Sequence, residues 1–207
     1  VLVLNHYGGN MVNSLTNAVQ FGLRDKQVNG KKFEIVVPLY SRLMAKGAGA
    51  NVKGIFGSTN WHWSLQDEGS KAFVKSFGTK YGFPPSQAAQ TCYVQTLLYA
   101  DAVERAGSFN PCAVEEALTG AGDSMPGIDS PSNTGFLFDG LGNGPTLYRK
   151  ADHQCFKDVL VVKGKENPTS EFDLLEIVEV TPAAQVWYEP DNPMFAGGAL
   201  GSCNPGS

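Results

Sequence analysis

No run of about eighteen apolar residues occurs in the 207-residue chain, so no segment reads as a membrane-spanning helix. Basic residues are not in excess: 16 Lys and Arg stand against 20 Asp and Glu, a net charge of −4. A nucleic-acid partner is therefore not expected, because such a binder carries a basic face to neutralise phosphates. Histidine is scarce, at three residues, and neither HExxH nor a paired CxxC is present. Asp152-His153-x-Cys155 has no recognised metal spacing, so no metal and no cofactor are expected. There is no G-x-S-x-G elbow, and no cysteine sits in a catalytic signature. The chain is therefore not expected to be an enzyme. It also lacks an initial Met: it opens at Val1 inside an apparent strand. That opening reads as the absence of a preceding part, with any targeting segment in it.

What is present points to a packed α/β domain. Hydrophobic residues make up 42% and aromatics 11% of the chain, enough for a core. Val1 to Leu4 is a fully apolar run, as in a buried parallel strand. After a turn at Gly8-Gly9, Met11, Leu15, Ala18, Val19 and Gly22 recur at helical spacing, with Asn10 as the expected N-cap. A second strand, 33–37, stops at Pro38, and this strand–helix–strand order is the unit of a parallel sheet. Residues 40–51 read as a loop and 52–57 as a third strand. Three helices follow, capped by Asp67, Ser86 and Asn110; the first is broken by Pro84-Pro85, and the others end at Gly107 and at Gly120. The middle one carries an apolar stripe of Ala89, Cys92, Tyr93, Thr96, Leu97, Ala100 and Val103. Later strands are expected at 135–139, 155–162 and 172–180, and the stretch from Pro190 is patternless.

The residues that follow the first three strands are the candidate site, because open α/β sheets bind ligands beyond their carboxyl ends. They are His6 and Tyr7 after the first strand, Tyr40 after the second, and Trp61 with His62 and Trp63 after the third. Aromatics there can line an apolar pocket with polar handles, and Trp61 is preferred over Trp63. Gly8-Gly9 before a helix reads as a tight turn more than an anion cradle. Of the four cysteines, Cys92 falls on an apolar stripe and reads as a small buried hydrophobe. Cys155 and Cys203 are the expected disulfide, because a bridge would pin the patternless tail to a strand. It would also imply an oxidising compartment.

Longer stretches carry a resemblance. Phe73-Val-Lys-Ser-Phe is followed by Tyr81-Gly-Phe-Pro-Pro-Ser-Gln-Ala-Ala, and Tyr93 by Tyr99-Ala-Asp-Ala-Val-Glu-Arg-Ala-Gly-Ser. Then come Asn110-Pro-Cys-Ala-Val-Glu-Glu-Ala-Leu and Tyr148-Arg-Lys-Ala-Asp-His-Gln. In order and spacing the progression resembles the type 1 periplasmic solute-binding proteins of ABC transporters, nearest the branched-chain amino acid and amide or urea group. The resemblance implies a fold of two Rossmann-like α/β lobes joined by a hinge, of which this chain supplies the second lobe plus helices of the first. It implies residues 1–64 as second-lobe segment and 65–120 as helices packing on the first lobe. Residues 121–189 would return to the second lobe and the hinge, and 190–207 would be a C-terminal tail.

Two positions carry over. Tyr7 matches an aromatic that packs on the ligand. The position after Pro38, usually acidic to pair with a ligand ammonium, is Leu39. An apolar or aromatic acid, an amide or a urea-like solute then fits better than an α-amino acid. The implied partners are a small-molecule solute, a membrane permease, and an N-terminal half or partner chain that completes the first lobe. The implied location is periplasmic or otherwise extracytoplasmic. The alternative is a binding-protein-like chain that serves as a structural subunit of a larger assembly.

Overall fold

The computed structural model describes residues 1–120, 122–194, 201 and 203. They form two compact units: residues 1–90 with 159–180, and residues 91–158 with 181–207. The units divide the chain at residues 90, 158 and 180. Residues 65–90 belong with the first unit, and residues 122–158 build a sheet in the second.

In the first unit, β1 (Leu2–Val3), β4 (Ile35–Val37) and β5 (Phe56–Thr59) lie side by side and parallel. β9 (Val159–Gly164) then pairs antiparallel with β5, and β10 (Leu175–Thr181) closes the five-stranded sheet beside β9. The crossover between β1 and β4 holds α1 (Gly8–Gln20) and a two-strand hairpin, β2 (Gln27–Val28) and β3 (Lys31–Lys32). The hairpin turns through Asn29 and Gly30, both at positive φ, which is the turn that an Asn-Gly pair adopts most readily. Met11, Leu15 and Ala18 of α1 are buried with Ile35, Val37, Leu160 and Val162 of the sheet in one core. Each large apolar side chain so buried contributes about 2 kcal/mol.

Helix α1 begins two residues before the expected cap Asn10. Its N-cap is Tyr7, which makes no side-chain capping bond. The stretch 40–51, expected as a loop, contains α2 (Arg42–Ala48). Ser41 accepts a hydrogen bond from the Met44 amide at 3.2 Å, and Met44, Ala45 and Ala48 enter the same core. The small residues that suggested a loop are there because the helix packs closely: a Cβ on Gly47 would stand 3.0 Å from Val12 of α1. Helix α3 (Glu68–Tyr81) starts at Asp67, whose carboxylate accepts from the Ser70 amide at 2.8 Å, and ends at Gly82 in the left-handed region.

Helix α4 (Gln87–Ala106) buries Gln87, Gln90, Val94 and Ala102. The apolar stripe read from sequence is largely exposed at Cys92, Tyr93, Thr96, Leu97 and Ala100. Burial of Cys92 is thereby corrected: its thiol is free and exposed.

In the second unit, α5 (Pro111–Thr119) is capped by the Asn110 carboxamide and packs by the antiparallel sheet of β6 (Gly135–Asp139), β7 (Pro145–Arg149) and β8 (Cys155–Phe156). Its core joins Met125, Leu147 and Phe156 to Ala183 of α6 (Ala183–Val186), with Trp187 and Tyr188 against it. Arg149 is wholly buried there. Its guanidinium forms a two-pronged ion pair with Asp152, donates to the Tyr188 carbonyl, and lies over the Phe156, Trp187 and Tyr188 rings.

The expected Cys155–Cys203 bridge is also corrected. Cys203 pairs with Cys112, at a Cα separation of 5.5 Å. Cys112 opens α5, where its side chain is half-exposed and within reach of the tail. The Cys155 thiol lies at the edge of β8, hydrogen-bonded to Tyr148, and burial pushes its pKa up.

Candidate functional site

The parallel register of β1, β4 and β5 brings their carboxyl ends to one edge of the first unit's sheet, as the sequence predicts. The candidate residues do not share one fate there. Tyr7 and Leu39 are about half exposed, at 52% and 45%. His6 is exposed, with its Nδ1 2.9 Å from the Ser14 hydroxyl.

Tyr40 and Trp61 are both buried. Tyr40 is fully buried in the main core, its hydroxyl has no partner among the described residues, and desolvation raises its pKa far above the ordinary phenol value. It fits because position 57 in the neighbouring strand is glycine: a Cβ on Gly57 would lie 2.7 Å from the Tyr40 Cβ. Trp61 is 1% exposed. Its indole N–H donates to the Ser70 hydroxyl at 2.9 Å, and its ring meets Phe73 edge-on, so it fastens the end of β5 to α3. The preference for Trp61 over Trp63 thus falls on a buried ring. Position after a strand was legible, but which way a side chain turns in a loop has no periodicity to read.

His62 is likewise buried. Its Nδ1 lies 2.7 Å from the Ser64 hydroxyl, and its Nε2 is unpartnered among the described residues. Desolvation lowers its pKa to about 4, helped by the nearby positive charges of Lys165 and Arg42 and opposed by Asp173. The imidazole is neutral at pH 7 and makes no cation for a ligand.

What remains at this edge is an open groove of about 440 Å³ between the starts of α1 and α2. Tyr7, Gly8 and Gly9 form one wall, and Ser41, Leu43 and Met44 form much of the other. Leu43, half-exposed on α2, belongs to it and was missed because 40–51 was read as a loop. No charged side chain lines the groove. Gly8 and Gly9 of the first turn of α1 line it, and that helix start has no side-chain cap, so the groove combines apolar surface, a phenol and an uncapped helix start. Among the described residues no cluster of His, Cys, Asp and Glu could hold a metal ion, and no helix is long and apolar enough to cross a membrane.

Comparison with known proteins gives the fold a name. No curated protein sequence matches the chain. Among solved structures, an amino acid ABC transporter substrate-binding protein from Pseudomonas fluorescens Pf-5 superposes at a TM-score of 0.72 with 20% identity. The match covers 96% of this chain and 47% of that one. A branched-chain amino acid ABC transporter periplasmic ligand-binding protein from Burkholderia xenovorans LB400 follows at 0.65 and 23% identity, over 88% and 44% of the two chains. A solute-binding protein of an ABC transporter from R. palustris, solved with benzoate, matches at 0.60 and 17% identity, over 87% and 42%. The chain thus spans about half the length of the structures it resembles. The family model described as periplasmic binding protein matches residues 1–169, and the chain belongs to that family.

Proposed function

We propose that this chain is part of an extracytoplasmic solute-binding subunit of an ABC importer, and that it holds one side of a small solute in the groove at the carboxyl edge of β1 and β4. The solute binds without chemical turnover and is enclosed when a second lobe, supplied by a portion of protein that this chain does not span, closes over it by hinge motion. The Cys112–Cys203 disulfide supports an oxidising compartment. The exposed face of α4, with Cys92, Leu97 and Ala100 at helical spacing, is the surface that the second portion would cover.

One observation carries the choice of solute: the groove has no carboxylate, and Leu39 stands exposed where an ammonium-binding acid would be. A ligand ammonium would lose its solvation there with no counter-charge. We therefore favour a small aromatic or apolar acid, or an amide, over an α-amino acid. The benzoate held by the R. palustris protein is of this kind.

Calorimetric titration of the complete two-lobed protein tests the choice. Benzoate is expected to bind and leucine to give no heat, with affinity for benzoate falling at least tenfold in Tyr7→Ala. Tight leucine binding that Tyr7→Ala abolishes would overturn the aromatic-acid assignment.

A further inference from the structure

The second unit holds a groove that the solute reading does not use. About 410 Å³ in volume, it runs between the end of α4, the whole of α5 and the turn after β7, within the size range of small-molecule sites. Three aromatic rings line it: Tyr99, Phe109 and Tyr148. Val114 and Leu118 of α5 add aliphatic surface, and Glu115 contributes the only carboxylate. Phe109 is 79% exposed and Tyr99 50%, an unusual cost for two large aromatics on one rim unless something covers them.

The polar end of the groove is built, not incidental. Glu115 Oε1 accepts from the Thr119 hydroxyl at 2.8 Å and faces His153 Nε2 at 2.8 Å. His153 reaches it from the turn after β7, with its backbone in the left-handed region at φ +59°. Both contacts fall on Oε1, so Oε2 accepts no hydrogen bond among the described residues. An oriented carboxylate with one oxygen unused, beside three aromatic rings, is the combination that selects an organic cation. The ring faces attract the positive charge, and the carboxylate neutralises and orients it.

We propose that this groove is a second binding site, distinct from the one at the sheet edge, for a small aryl- or alkylammonium ion. The ammonium donates to Glu115 Oε2, and the organic portion lies against Tyr99, Phe109 and Tyr148. A carboxylate ligand of the same shape is repelled by Glu115. The proposal stands or falls independently of the solute-binding reading.

The test is titration of the 207-residue chain with 2-phenylethylammonium, and with 3-phenylpropionate as the anion of matching size. The expected result is saturable binding of the ammonium alone. Its affinity should fall about tenfold in Glu115→Gln, the loss of one charge-assisted bond. It should fall similarly in Phe109→Ala, a rim change that leaves α5 intact, and stay unchanged in Tyr7→Ala. Absence of saturable binding, equal binding of the two probes, or ammonium binding that Tyr7→Ala abolishes and Glu115→Gln does not, each overturns it.

Discussion

Two buried charged or chargeable side chains show how neighbours decide whether a polar group is tolerated. Arg149 keeps its charge in the second unit because Asp152 and the Tyr188 carbonyl satisfy it and three aromatic rings cover it. His62 in the first unit has a hydroxyl partner on one nitrogen only and is held neutral. Its pKa has dropped from the ordinary 6.5 to about 4, chiefly by desolvation. Lys165 and Arg42 lower it further and Asp173 opposes them. The unfolded chain takes up this proton first as pH falls, so the neutral ring's contribution is complete above about pH 7 and lost between 6.5 and 4. The loss amounts to about 3 kcal/mol over that window. Urea unfolding measured from pH 7.5 to 4.5 is expected to show the decline, and His62→Phe to flatten it. An equally steep decline in the variant would assign the pH dependence to other groups. None of this was legible in the sequence, where His62 was one of three histidines and no pattern marked it for the interior.

Elements were legible where one rule dominated and lost where two competed. The caps at Asp67 and Asn110 hold as expected, because a carboxyl or carboxamide at a helix start has few other uses. Helix α2 was lost because Gly47 and its alanines read as a loop, whereas close approach to α1 is what they serve. β7 follows the glycine-rich turn at 140–144 and was not foreseen, since its alternation is obscured by Pro145 and Arg149. The disulfide was misassigned for a related reason. Sequence showed that a tail needed fixing but not which element it could reach. The Cys112–Cys203 bridge joins the start of α5 to a residue 91 positions later. In the chain-entropy account, closing a loop of that length stabilises by about 4.6 kcal/mol. Cys203→Ser is expected to lower the melting temperature clearly, and Cys155→Ser to leave the non-reduced peptide map unchanged. A map that instead links Cys155 to Cys203 would restore the pairing read from sequence.

For the molecule as a whole, the α/β class and the family were readable, because strand–helix–strand order and a long ordered series of local motifs survive at low identity. The candidate site was legible as a sheet edge, because parallel strands had to end together, but the burial of Tyr40 and Trp61 and the place of Leu43 in the groove there were not. The apolar stripe on α4 was legible in the sequence, and it stands largely exposed among these residues. Its exposure follows if the stripe belongs against the portion that the longer relatives have and this chain does not span. Cys92 offers a direct probe, being a free, exposed thiol on that face, whereas Cys155 is partly covered and its pKa is raised. In the 207-residue chain, maleimide is expected to label Cys92 rapidly and Cys155 slowly. In the complete two-lobed protein, Cys92 labelling should slow by tenfold or more, while labelling in urea stays fast in both. Equal Cys92 reactivity in the two folded forms would mean that the second portion packs elsewhere, and the α4 face would then need another partner.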